Sequence, residues 1–424
     1  METKLQSYLR YLEDEFLRGC RQMGKIFKER TAVETARKLF LEQIVPLKLT
    51  EMVRLEASVD RVLARAVYAE RNVPHYRRSA MDGYALRASN TQGASPANPI
   101  LLELSDKVQE GSCVWVHTGA PVPAEANAVL MLEDTQKVGA LIEVRAQVHP
   151  NRNIGAVGED IKIGDLIFEK GHQIRPCDAS VLASLGFEKI EVFQKPLVAV
   201  IPTGDELLNR KKIQEIPPPG RVLETNGLMA SLYVEKWGGI SRSSEIVPDN
   251  QQQLKEAVKA NLDADMILIS GGTSVGKRDH APEVLENLGK ILVRGIGAVP
   301  GKPTTLGLIN KVPIVCLPGY PVAGLVALYF FVRAGLWKLA GKEKKLRLEN
   351  SKPSLKRLLS AKVSSRIGYV SFVRVVLEGE YARPLMGGGA GVLSSVAKAD
   401  GFLLVPENVE GYEAGAEVEI FLLE

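Results

Sequence analysis

Cysteine and histidine are scarce in this chain, with four of the first and five of the second among 424 residues. Cys20, Cys113, Cys177 and Cys316 lie far apart, with no CxxC pair and no Cys/His cluster at zinc spacing. That leaves no structural zinc reading and fits a reducing, cytoplasmic setting. The histidines form no HExxH and no serine sits in a GxSxG elbow, so neither a zinc hydrolase nor a serine hydrolase is indicated. His75 and His280 neighbour other marked positions, but surface or core roles are the simpler reading. Charge of one sign is lacking too. A formal net charge of +4 spread along the chain argues against nucleic acid as the main partner and leaves a small anion open. Long hydrophobic runs are missing as well. The most apolar stretch, Val322 to Val332, is short and meets Arg333, so no membrane span is expected. The N-terminus alternates charged with apolar residues, unlike a secretory signal.

What is present is ordinary globular material, 45% apolar and 25% charged, in a chain too long for one core. Residues 1–30 place Leu5, Leu9, Leu12 and Phe16 at roughly helical spacing, with Gly19 and Gly24 against a long helix. They form an N-terminal extension. Thr31 with Glu34 reads as a capping box, opening a helix over 31–48 with an apolar stripe of Val33, Ala36, Leu39 and Leu41. Residues 49–73 read as extended pieces around a short helix at Val59 to Leu63, and 150–177 as further extended segments able to pair with them. Between them, 74–149 is a small β-rich domain with runs at Ile100 to Leu104, Val129 to Leu132 and Leu141 to Val144.

From 178 to 340 the pattern becomes alternating β and α, which predicts a three-layer α/β domain on a mostly parallel sheet. Asp178 caps a helix ending at Gly186. The expected strands are Leu197 to Ile201, Ser244 to Val247, Met266 to Ser270 and Ile314 to Leu317. The expected helices are Gly227 to Trp237, Gln252 to Ala260, Pro282 to Leu288 and one after Pro321. Residues 341–424 turn back to β, with runs at Val370 to Leu377, Phe402 to Val405 and Val418 to Leu422. They predict a terminal barrel-like β domain. The fold class is therefore multidomain α/β plus β.

In an open parallel sheet, ligands bind beyond the carboxyl ends of the strands. There this sequence places Thr203, Gly204 and Glu206; Asp249; Ser270, Gly271, Gly272, Ser274 and Gly276; Pro300, Gly301 and Lys302; and Pro318 with Gly319. Glycines between strand and helix let backbone N–H groups approach a phosphate, although a tight βα turn explains the same pattern. Gly271 and Gly276-Lys277 have P-loop spacing, but Arg278 stands where the magnesium-binding hydroxyl belongs. Glu206, Asp249 and Asp279 are oxygen donors suited to a magnesium ion held against a diphosphate, with helix capping as the alternative.

With these loops in place, the chain resembles the molybdopterin molybdenumtransferase family, of the MoeA and gephyrin E-domain type. The resemblance is carried by Asn72-Val73-Pro74, Ser79-Ala80-Met81-Asp82-Gly83-Tyr84-Ala85, Thr118-Gly119-Ala120-Pro121, Gly158-Glu159-Asp160-Ile161, the strand-end loops, and Leu393-Ser394-Ser395. It runs from about residue 31 to the end. It implies Mg2+-assisted reaction of molybdate with adenylylated molybdopterin, releasing AMP. It also implies an elongated homodimer whose active site is shared between the α/β domain of one subunit and the small β domain of the other, and the molybdopterin adenylyltransferase as a partner.

By the same resemblance Asp82, Thr118, Asp160, Glu206, Asp249 and Asp279 are catalytic positions. Glu206, Asp249 and Asp279 carry the metal, and Lys302, Ser394 and Ser395 face the oxyanion. The chain departs from the family at Val299, where a lysine is usual, at Lys277, at Tyr320 in place of Asn, and at Gly368-Tyr369 in place of Gly-Arg. Arg294 is a candidate to restore charge. These changes gather near the oxyanion end, so a paralogue choosing another oxyanion, such as tungstate, and a non-catalytic pterin-binding scaffold stand as alternatives.

Overall fold

A computed structural model describes residues 30–210, 216–271, 280–342, 354–385 and 389–423. The chain divides into two compact units. One comprises Phe193–Glu424 with the segment ending at Glu51 and Asp60–Val62, and the other Met52–Val59 with Leu63–Val192.

The first unit is built on a six-stranded sheet. Its order is Ile240–Ser243, Leu197–Pro202, Met266–Ser270, Val312–Leu317, Thr305–Ile309 and Lys290–Arg294. The first four strands run parallel and the last two antiparallel. The continuous apolar runs are explained by burial on both faces. Val198, Val200, Met266, Leu268, Val315 and Leu317 pack into one cluster. Their alternates Ala199, Ile201, Ile267, Ile269, Ile314 and Cys316 pack into another on the opposite face. Each large aliphatic side chain so buried contributes roughly 1.5–3 kcal/mol relative to exposure.

Several expectations are corrected here. The edge strand is Ile240–Ser243, not Ser244 to Val247. The later segment only turns back, with Val247 bridged to Thr203. The capping box at Thr31 does not form. Thr31 instead exchanges backbone bonds with Gly295 and Gly297, so the helix starts at Val33 and carries no side-chain cap. Its buried stripe is Val33, Ala36, Arg37 and Phe40, while Leu39 faces solvent. The stretch after Pro321 does not stop at Arg333. It continues as one helix, Pro321–Leu339, whose apolar window is long enough to cross a membrane but is 94% buried within the protein. Arg333 is accommodated by aromatic faces, its guanidinium 4.7 Å from the Tyr329 ring and 5.1 Å from the Trp337 ring. Burial pushes its pKa down to about 10.

The C-terminal part of this unit is a second sheet. Strand Val370–Glu378 pairs with both Tyr381–Pro384 and Gly401–Val405, and Glu417–Leu422 joins Gly401–Val405 to Ser354–Leu359, closing a small barrel. Phe372 and Phe402, stacked at 4.1 Å, extend the α/β core into it.

The second unit contains another six-stranded sheet, ordered Ala128–Met131, Gly83–Leu86, Ser112–Val116, Ile100–Leu104, Leu141–Val144 and Thr135–Val138. Beside it, Leu166–Phe168 pairs with Val67–Tyr68 and Ile154–Gly155 with Arg78–Ser79. The short helix expected at Val59 to Leu63 is a single turn at Leu55–Ala57, because Leu63 is bridged to Val192. Asp178 does cap the helix Pro176–Ser184, accepting from the Arg175 backbone N–H at 2.9 Å.

Candidate active site

At the carboxyl ends of the parallel strands the loops are stitched together by backbone bonds. Thr203 N–H donates to the Ser270 carbonyl at 2.8 Å and Gly271 N–H to the Leu317 carbonyl at 3.4 Å. Gly271 makes this approach feasible. At φ 109° its absent Cβ would lie 2.0 Å from the Thr203 carbonyl oxygen. Gly204, at φ 150°, lets the Glu206 carboxylate fold over it, within 2.7 Å of where a Cβ would stand.

Between these loops opens a cavity of about 510 Å3, lined by Thr203, Glu206, Ser270, Gly271, Pro303, Pro318 and Gly319, together with Leu207, Val222, Leu223, Glu224, Thr225, Asn226, Tyr320, Pro321 and Gly391. A mostly apolar wall with a few polar groups is the usual composition of a small-molecule site.

Asp249 is not among the residues lining this cavity. Its backbone N–H donates to Asp205 Oδ1 at 3.0 Å, and its Oδ2 accepts from the Asp205 backbone at 3.4 Å. The Pro300-Gly301-Lys302 loop is closed by Thr304, which donates twice to the Gly301 carbonyl, at 3.0 Å from its N–H and 2.7 Å from its hydroxyl. Around Tyr369 lie Arg30, with its guanidinium 4.1 Å from the ring centre, Arg366 at 5.6 Å, and Lys302. Burial raises the Tyr369 hydroxyl, but the Arg30 hydrogen bond and the charges of Lys302, Arg30 and Arg366 outweigh it, leaving its pKa below the ordinary tyrosine value. Ser394 opens a short helix, while Ser395 is buried and bonds to Arg374 and to the Val392 carbonyl. Arg294 pairs with Glu286 at 3.0 Å, which occupies the charge expected to compensate at the oxyanion end.

In the second unit the separated motifs interlock. Ser79 N–H donates to the Ala120 carbonyl at 2.9 Å and Gly119 N–H to the Ser79 carbonyl at 2.8 Å, bringing Asp82 beside Thr118. Thr118 donates to Asp82 Oδ1 from its backbone at 2.6 Å and its hydroxyl at 2.9 Å. These bonds hold the Asp82 carboxyl below its usual pKa. The backbone N–H groups of Asp160 and Ile161 both donate to the Val73 carbonyl at 3.1 Å, joining the fourth motif to the first.

Gly272, Ser274, Gly276 and Asp279 lie outside the described residues. Sequence reasoning passed over Glu224 and Asn226, both lining the cavity. An acid just after a short strand and an amide at the first position of the following helix were the available signal.

The architecture and the strand-end cavity define a parallel α/β protein with a small-molecule pocket, carrying a closed β barrel in the same unit. Three family descriptions match in order: "MoeA N-terminal region (domain I and II)" over 31–186, "Probable molybdopterin binding domain" over 199–337, and "MoeA C-terminal region (domain IV)" over 356–423. The chain belongs to the molybdopterin molybdenumtransferase family of the MoeA type. It is 37% identical over 411 residues to a protein of Methanocaldococcus jannaschii named for molybdopterin biosynthesis, covering 94% of this chain and 100% of the relative. It is 31% identical over 405 residues to the molybdopterin molybdenumtransferase of Haemophilus influenzae, covering 92% of this chain and 97% of that one. The solved molybdopterin biosynthesis MoeA protein of Pyrococcus horikoshii superposes with TM-score 0.79 at 31% identity, over 93% of this chain and 99% of that one.

Proposed function

We propose that the chain is a molybdopterin molybdenumtransferase that inserts molybdate into adenylylated molybdopterin and releases AMP, in molybdenum cofactor biosynthesis. The observation that carries this reading is the strand-end cavity, in which Thr203, Glu206, Ser270, Gly271 and Gly319 meet in the segment matching the molybdopterin-binding description.

Magnesium suits the donor set. Among the described residues no cluster of His, Cys, Asp or Glu could hold a metal alone. Mg2+ characteristically takes one or two carboxylates together with substrate phosphates, and Glu206 and Asp249 offer those, with Asp279 as a further candidate. When bound, the ion would neutralise charge on the diphosphate as AMP leaves. The chain's own contribution is positional. Thr203, Ser270 and Gly271 hold the diphosphate against the strand ends, Lys302 attracts the oxyanion, and Glu206 and Asp249 serve the metal side.

Asp82, Thr118 and Asp160 belong to residues 74–149 and 150–177, whereas the cavity is lined by residues of 178–340 together with Gly391. We assign the complete site to a homodimer in which these parts come from different subunits, with 31–48 packing on the α/β domain, 49–73 and 150–177 as linker, and 341–424 as the terminal β domain. The molybdopterin adenylyltransferase is the natural supplier of substrate, and the cytoplasm the compartment.

The test is AMP release from adenylylated molybdopterin with and without Mg2+, in the presence of no oxyanion, molybdate or tungstate, for the wild type, Glu206→Gln and Asp249→Asn. Release stimulated by molybdate, dependent on Mg2+ and lost in both variants supports the reading. Tight binding with no release under any condition defeats it, and stimulation by tungstate alone transfers it to the other oxyanion.

A further inference from the structure

The cavity contains more than a diphosphate needs. Beside the short parallel ribbon of Leu207–Leu208 and Val222–Leu223, the chain turns into the helix Asn226–Lys236 and leaves the Glu224 carboxylate in the cavity wall. Its side chain is only 8% exposed. One oxygen, Oε1, accepts from the Gly227 N–H at 2.5 Å, and the other lies 3.8 Å from the Arg210 guanidinium. A Cβ at residue 227 would sit 3.0 Å from Oε1, so glycine there leaves the carboxylate its place. Each carboxylate oxygen carries two acceptor sites, so these contacts leave Glu224 able to take two more donors.

Also lining this cavity is Tyr320, 66% exposed in the loop between Pro318 and Pro321. Its neighbour Gly319 is tied to the Glu224 segment, because Asn226 Nδ2 donates to the Gly319 carbonyl at 2.7 Å. An aromatic residue and a buried carboxylate therefore line one cavity, with a direct bond between their segments.

We propose that Glu224 and Tyr320 form the ring-binding subsite of this cavity, and that it takes a 2-amino-4-oxo heterocycle. This rests on the transferase reading and specifies which end of the substrate lies where. Such a ring presents an exocyclic amino group and an adjacent ring N–H, two parallel donors that match the two oxygens of one carboxylate. An adenine edge offers one amino donor beside an acceptor nitrogen, which a carboxylate repels. The chemistry of Glu224 thus selects the pterin end of the substrate over its nucleotide end. Tyr320 supplies the stacking surface that a planar ring uses irrespective of its edge.

The experiment is equilibrium binding by fluorescence, using free pterin, its 2-oxo analogue lumazine, and AMP, with the full-length protein. The wild type binds pterin more tightly than lumazine. Glu224→Gln, which keeps the acceptor for Gly227, weakens pterin by ~10-fold or more and levels it with lumazine. Tyr320→Ala weakens both rings by roughly 10-fold while Tyr320→Phe keeps both. Because Tyr320 is exposed, its variants report even if a change at Glu224 prevents folding.

A wild type that binds lumazine as well as pterin, or binds neither up to their solubility limits, overturns the subsite. So does AMP binding that depends on Glu224 and Tyr320 while pterin binding does not. Pterin selectivity that depends on Glu224, in a protein that releases no AMP, supports the subsite while removing the transferase reading. AMP release with selectivity unchanged in Glu224→Gln does the reverse.

Discussion

Thr118 places two donors on a single carboxylate oxygen of Asp82, its backbone N–H at 2.6 Å and its hydroxyl at 2.9 Å. The two residues are 36 positions apart and both are exposed. A carboxylate bonded in this way stays ionised at lower pH and is fixed in orientation, which is what a group working on a charged substrate requires. Asp82→Asn is expected to cut AMP release by about 100-fold or more without moving the melting temperature. Thr118→Val keeps the backbone donor and should cost roughly 10-fold, with Thr118→Ser restoring it. Steady-state AMP release beside thermal melts decides this. A fall in melting temperature that parallels the loss of rate would make the pair structural.

The strand-end loops lead to a second expectation, a contrast between two glycines. A Cβ at Gly271 would stand 2.0 Å from a backbone oxygen at a positive φ, whereas at Gly319 its nearest neighbour is 3.9 Å away. Gly271→Ala should therefore destabilise by about 2 kcal/mol or more. Gly319→Ala should remain close to wild type. Urea midpoints with unchanged slopes would separate the two, and equal midpoints would remove the argument that glycine at 271 is needed for loop closure.

What could be read from the sequence divides along physical lines. Runs such as Met266 to Ser270 identified their strand to the residue, because a strand buried on both faces leaves an uninterrupted apolar signature. The antiparallel strands Lys290–Arg294 and Thr305–Ile309 were missed. The first is only three apolar residues between Lys290 and Arg294 at a sheet edge, and the second carries Gly307 against the Lys290 carbonyl. Thr31 misled for another reason. Its side chain fits a cap, but a non-local bridge to Ile296 claims its backbone first.

In the candidate site, the strand-end positions Thr203, Glu206, Ser270 and Gly319 share the cavity that topology predicts for them. Glu224 was passed over because its entry into the cavity depends on a short ribbon that leaves no periodic trace.

Stability at low pH should report on Asp178. Its carboxylate is 3% exposed, receives the Arg175 guanidinium at 2.7 Å, the Arg175 N–H at 2.9 Å and His172 at 2.8 Å, and its pKa is held well below the carboxylate range, chiefly by the Arg175 side chain against the opposing cost of burial. A group depressed on folding stabilises above its unfolded pKa and loses that contribution as pH falls toward the folded value. The loss therefore belongs below about pH 4. Arg175 is 67% exposed, so screening discounts the ion pair itself. Asp178→Asn should cost about 2 kcal/mol at neutral pH, mostly through the buried acceptor. The difference from wild type should shrink in acid. Denaturation midpoints across the acid range measure it, and a gap that stays constant with pH would assign the effect to packing.

Thiol chemistry offers the last expectation. Burial pushes the Cys113 thiol up to about 11, Cys316 is buried in the sheet, and Cys177 is exposed at the start of the helix Pro176–Ser184. The thiolate is the reactive form, and at about pH 8 a thiol raised that far is almost wholly protonated as well as shielded. A maleimide should label Cys177 in the folded protein and reach Cys113 and Cys316 only when denaturant opens the two units. Peptide mapping by mass reads each site separately, so any reaction at Cys20 is scored on its own. Prompt labelling of Cys113 under native conditions would mean that the sheet containing Ser112–Val116 opens far more readily than its buried neighbours Leu102, Leu130 and Ile142 imply. Labelling that appears only along the unfolding transition of that unit would tie the reactivity of Cys113 to the same cooperative opening that exposes its core.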